Sequence, residues 1–177
     1  MPTPPDQPAS IARIADLRDG VAAVLRASWR PADPDGVESV WLARLSFDEN
    51  DPGTLTTGRR LFVMAADPRV SALSRAYWKN AYTLGVLLTE RYTGTGDPPD
   101  EWVDALVTWW EQTVFYPLCN PRLRIAGPEG IVTQAVPDPE TPPEVTTFVD
   151  RDLLTECKAV MIAANFTYID ASNHAGA

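Results

Sequence analysis

Seventeen prolines punctuate this chain of 177 residues, and their clustering constrains the fold more than any other feature. Four fall in the first eight residues and six between Pro121 and Pro143. A proline lacks the backbone N–H and fixes φ, so both stretches read as extended connections. Most regular structure is expected outside these two stretches. The resulting organisation is a Pro-rich arm over 1–9, one domain over 10–170 with a long loop at 118–145, and a flexible tail over 171–177. A chain of this size buries roughly 70% of its unfolded surface, so one core needs no metal or disulfide staple.

The segment after the arm reads as a helix. Ser10 is a candidate cap, and Ile11, Ile14, Val21, Val24, Leu25 and Trp29 follow a helical stripe. Gly20 weakens its middle by about 1 kcal/mol relative to alanine, so a start near Asp16 is the alternative. Pro31, Pro34 and Asp35-Gly36 end it. The period then changes to two. Val37, Ser39, Trp41, Ala43, Leu45 and Phe47 alternate with Glu38, Arg44 and Ser46, as in a half-buried strand. A turn-rich loop from Asp48 to Gly58 leads to a second strand over Arg59–Ala66, and the pair reads as a hairpin. A third strand is expected over Asn80–Tyr92, closed by the turn Thr93-Gly94-Thr95-Gly96.

Asp97-Pro98-Pro99-Asp100-Glu101 is a helix-start signal, with Asp97 as capping carboxylate and acids in the first turn. Val103, Leu106, Val107, Trp110 and Val114 form the buried stripe, with Trp102 and Trp109 on its flanks. Pro117 is expected to end this helix. Neighbours on a helix diverge by about 100°, so Trp109 and Trp110 cannot share one face, and Trp109 becomes a candidate protein contact. A short strand is expected at Gly130–Val136, a helical turn at Asp152–Glu156, and a last strand at Lys158–Asp170. The fold class is α+β: a small, mostly antiparallel four-stranded sheet with two helices packed on one face.

The residues offer little chemistry. His174 is the single histidine and lies in the tail, where no nucleophile can be held against it. Cys119 and Cys157 are too few for a zinc site or a disulfide framework and read as buried thiols. Glu90 with Asp100, Glu101 and Asp104 is the one carboxylate group that suits a two-acid or magnesium site, against the plainer reading of helix-dipole acids. Thr93–Gly96 lacks the Lys-Ser/Thr ending of a phosphate loop. Arg59-Arg60 and Arg122 with Arg124 are small basic pairs on a chain of net charge −9, which argues against gripping nucleic-acid phosphates. No catalytic, cofactor-binding or metal residue is assigned. The N-terminus carries no secretory signal pattern, and no apolar run reaches membrane length.

The order helix, strand, long loop, strand, strand, helix, long loop, strand resembles the tail-terminator (tail-completion) proteins of long-tailed bacteriophages. The matching segments are Ile11–Trp29, Val37–Phe47, Arg59–Ala66, Asn80–Tyr92, Trp102–Tyr116 and Lys158–Asp170. The likeness is one of arrangement and carries no diagnostic motif; the 118–145 loop is longer than that arrangement needs. The resemblance implies a structural virion protein without a cofactor, assembled in the host cytoplasm as a ring of its own copies, a hexamer. The ring sits at the head-proximal end of the tail, between the tail tube protein and the head-tail connector protein, with DNA only as passing cargo and no membrane. The Asp48–Gly58 loop, with Asp48, Glu49, Asp51 and the following Arg59 and Arg60, is the candidate assembly loop, since a hairpin needs only two to five residues to turn. Another neck or tail-tube subunit, or a small carboxylate-dependent enzyme, is the alternative.

Overall fold

The computed structural model describes residues 10–28, 37–41, 58–65, 69–74, 77–125, 135–149 and 151–170. Its framework is a pair of long strands, β4 (Tyr77–Arg91) and β7 (Ala159–Asp170). They run antiparallel in register, from Ala81 opposite Ile169 to Arg91 opposite Ala159. Each carries two short strands in tandem on its outer side. On β4 these are β2 (Arg60–Ala65) and β3 (Arg69–Ser74); on β7 they are β5 (Ala135–Pro137) and β6 (Glu144–Phe148). Strand β1 (Val37–Trp41) lies outside β2, completing the order β1-β2-β4-β7-β5, with β3 on β4 and β6 on β7.

The α+β class and the largely antiparallel sheet are as the sequence predicts, but the sheet exceeds four strands. β3 and β6 are the unexpected ones. Both are short, and β6 follows Pro142-Pro143, which reads as loop until a long partner such as β7 supplies the pairing. β5 overlaps the end of the strand expected at Gly130–Val136, whose first residues lie outside the described ones. The strand expected over Val37–Phe47 is described only to Trp41.

The hairpin expected of the first two strands is not formed. β1 and β2 pair in parallel, Val37 beside Leu61 through Trp41 beside Ala65, so they are not a hairpin. Parallel neighbours need a crossover of about a dozen residues or more, and a tight turn cannot join them. The length between Trp41 and Arg60 therefore has a folding role.

Alternation sorts the sheet into two faces. Leu61, Val63 and Ala65 of β2, Tyr82, Leu84, Val86 and Leu88 of β4, and Val160, Ile162, Ala164, Phe166 and Tyr168 of β7 share one face and are all buried. Helix α1 (Ser10–Ser28) contributes Ile14, Leu17, Val21, Ala22 and Leu25 to the same core. Its second cover is a rod made of α2 (Asp100–Trp110), a π turn (Glu111–Phe115) and α3 (Tyr116–Cys119), which contributes Leu106, Trp110, Val114 and Leu118. Both helices thus lie on one face. Phe62, Leu87 and Thr89, on the other face, are buried as well.

Two details of the rod depart from expectation. Pro99, not Asp97, is the N-cap, with no side-chain cap; its carbonyl accepts the Trp102 N–H at 3.0 Å, and Asp100 and Glu101 occupy the first turn. Pro117 does not end the helix, which continues to Cys119. In an α-helix its ring would meet the Thr113 carbonyl and it could donate nothing. The π turn resolves this: the Tyr116 N–H reaches back five residues to the Glu111 carbonyl, so the register has shifted before the proline arrives.

Helix α4 (Arg151–Cys157) joins β6 to β7 and corresponds to the helical turn expected at Asp152–Glu156. Val149 and Lys158 flank it with φ of 39° and 54°, a left-handed conformation uncommon in residues other than glycine.

Candidate functional site

Two regions stand out, and only the first brings together candidate residues named from the sequence. The first lies where β2 and β4 meet under α2. Arg60 pairs with Thr89 in the sheet, which sets Arg59 beside Glu90 on the helix-bearing side. Arg59 Nε donates to a Glu90 carboxylate oxygen at 2.6 Å, and both side chains are mostly buried. The guanidinium also lies over the Trp109 ring, 4.4 Å from its centroid. Arg59, from the candidate loop, and Trp109, the candidate contact on α2, are therefore brought together within one molecule. Trp109 is half-buried and packs on the core, whereas its neighbour Trp110 is fully inside.

The other candidates scatter. Asp48, Glu49, Asp51 and His174 lie outside the described residues. Arg60 is half-buried in β2. Asp100, Glu101 and Asp104 are exposed in the first turns of α2, while Glu90 is engaged by Arg59. Among the described residues no three His, Cys, Asp or Glu side chains gather as metal ligands would. Cys119 and Cys157 are free and half-buried. Burial pushes the Cys119 thiol above its ordinary value, which suits a packing residue and not a nucleophile.

The second region is the Pro-rich stretch that the expected architecture does not account for. Between the end of α3 and the 137–143 turn lies a cleft of about 220 Å³, walled by Leu118, Cys119 and Pro121 on one side and by Pro137, Pro139 and Pro142 on the other, with Phe166 and Thr167 among its lining. Its turn is held by Asp138, a buried acid whose carboxylate accepts the Glu140 N–H at 3.1 Å and the Thr141 hydroxyl at 3.0 Å. The Asp138 N–H donates to the Thr167 carbonyl at 2.9 Å, tying the turn to β7. On the helix side, Tyr168 is fully buried and its hydroxyl donates to the Leu118 carbonyl at 3.4 Å. Phe115 packs on Phe166 with centroids 5.9 Å apart.

Sequence reasoning missed this cleft. The signal was Asp138-Pro139-Glu140-Thr141, a turn sequence in which an aspartate bonds the backbone two residues on. What walls it in is tertiary, namely the approach of α3, and could not be read locally. Comparison with family models and with curated proteins found no match for this chain.

Proposed function

We propose that this chain is a structural subunit of a long-tailed bacteriophage, a tail terminator whose copies form a ring, a hexamer, capping the tail tube and meeting the head connector. The observation that supports this reading is the architecture: α1 and the α2–α3 rod cover one face of a mostly antiparallel sheet, which is the arrangement expected of that family. The acidic chain, at −9, would line a passage through which DNA slides without adhering. The carboxylates required by a rival enzymatic reading are otherwise disposed, Glu90 in an ion pair and Asp100, Glu101 and Asp104 in a solvated helix start. In this role specificity comes from shape and edge complementarity between subunits, and no cofactor takes part.

The test is end attachment. Purified protein carrying a gold label is mixed with tail tubes assembled without their terminator. Label at a single end of each tube, with tube growth arrested, is the expected result. Label along the tube wall would instead favour a tube subunit, and no binding would remove the tail assignment.

A further inference from the structure

Two large apolar side chains are exposed, Tyr116 at 61% and Val145 at 46%. Both are within three positions in sequence of residues that line the Pro-rich cleft. Tyr116 lies one helical turn before Cys119, a cleft residue, and its ring meets Phe115 edge-on at 6.0 Å, which in turn packs on Phe166 of the cleft lining. Val145 follows Pro143, another lining residue, by two positions on β6. At about 220 Å³ the cleft is smaller than the roughly 300 Å³ at which ligand pockets begin, and its size and apolar wall suit one large side chain.

The charges around it are divided. Arg122 is exposed and directly follows Pro121 on the helix side; Glu144 is exposed and directly follows Pro143 on the turn side. The patch therefore carries a projecting aromatic, a recess, a basic lip and an acidic lip together. In a two-fold contact residue i meets j and j meets i, so one surface has to hold both halves of the contact, as this one does. We propose that this face binds a second copy of the chain in a two-fold contact, Tyr116 of each entering the other's cleft, with Arg122 of each facing Glu144 of the other.

The contact does not depend on the ring reading, because a two-fold contact closes on itself as a dimer. The 138–143 turn supports it: with Asp138 bonded at both Glu140 and Thr141, the recess is preformed and little ordering is lost on binding. Pro142 and Pro143 ahead of β6, and the register shift between Val145 and Thr147, discourage strand addition at that edge and leave side-chain insertion as the mode of contact.

Sedimentation equilibrium of the full chain over a concentration series tests the proposal. At concentrations below those at which rings form, the wild type should show a monomer–dimer equilibrium, and Tyr116→Ala should weaken it about 30-fold or more, as for a central interface residue, with unchanged circular dichroism and melting. Tyr116→Phe, which keeps the ring, should leave it intact. Arg122→Glu and Glu144→Arg should each weaken it, and the double variant should restore it. A wild type monomeric throughout the series, an unaffected Tyr116→Ala variant, or a double variant no better than the singles would overturn the contact. Rings that persist in Tyr116→Ala without a dimer would overturn this contact alone, and dimers that never form rings would overturn the ring reading alone.

Discussion

Arg59 and Glu90 are 31 residues apart in sequence, yet the β2–β4 register brings Nε and carboxylate to 2.6 Å at the point where the crossover from β1 enters the sheet. The pair fixes the end of that crossover beneath α2, with Trp109 closing over the guanidinium. Glu90→Ala should therefore destabilise the fold by about 1–2 kcal/mol, an amount discounted because both groups retain some solvent contact. Urea denaturation measures it, and part of the difference should disappear in high salt. Arg59→Lys should not be silent, since an ammonium loses the planar stacking on Trp109.

Trp110→Ala should cost about 3–5 kcal/mol, because it empties a fully buried aromatic site between the rod and the sheet. Trp109→Ala removes a half-buried ring and one cation–π contact, worth about 0.5–2 kcal/mol for the latter. Chemical denaturation that ranked the two in the opposite order would place the buried stripe one residue off.

Asp138→Ala leaves the Glu140 N–H and the Thr141 hydroxyl without their acceptor. A loss of about 1–3 kcal/mol is expected, with faster amide exchange concentrated at Glu140 and Thr141. Slowed or unchanged exchange there would mean that the turn does not depend on this carboxylate.

Burial, with a smaller contribution from the nearby Cys119, pushes the Tyr168 phenol far above its ordinary value of 10.0. The folded chain therefore keeps a proton that the unfolded chain releases near that value. Because the folded state holds the proton more tightly, this contribution is fully present below about pH 10 and is lost as the pH rises beyond it. Melting temperature should fall above pH 10, and Tyr168→Phe should flatten that fall while costing about 1 kcal/mol or less at neutral pH for the long bond to Leu118.

Much of the core was legible because it rests on period alone. Leu106, Trp110 and Val114 mark a helical stripe, and Leu84, Val86 and Leu88 with Ile162, Ala164 and Phe166 mark alternation; all are buried as read. The direction of β1 was not legible. Two alternating segments separated by a polar loop look alike whether they pair as a hairpin or through a crossover, and only the Val37–Leu61 register distinguishes them. Pro117 misled for a related reason: a proline argues for a helix end, and the π turn that accommodates it leaves no mark in local propensity. The joining of Arg59 to Trp109 and the cleft beside Tyr116 are tertiary, arising from where the rod crosses the sheet.

The parallel pairing also alters what the Asp48–Gly58 segment can be asked to do. Replacing it with a two-residue turn would sever a crossover, so its part in assembly is better probed by substitution: Asp48→Ala, Glu49→Ala and Asp51→Ala together should preserve the melting transition and reduce ring yield.

Electron microscopy of the purified full chain bears most directly on the central claim. The account predicts closed rings of six copies around a central opening wide enough for duplex DNA. Particles that remain monomers or dimers at every concentration, in the presence of tail tubes as well as alone, would contradict it.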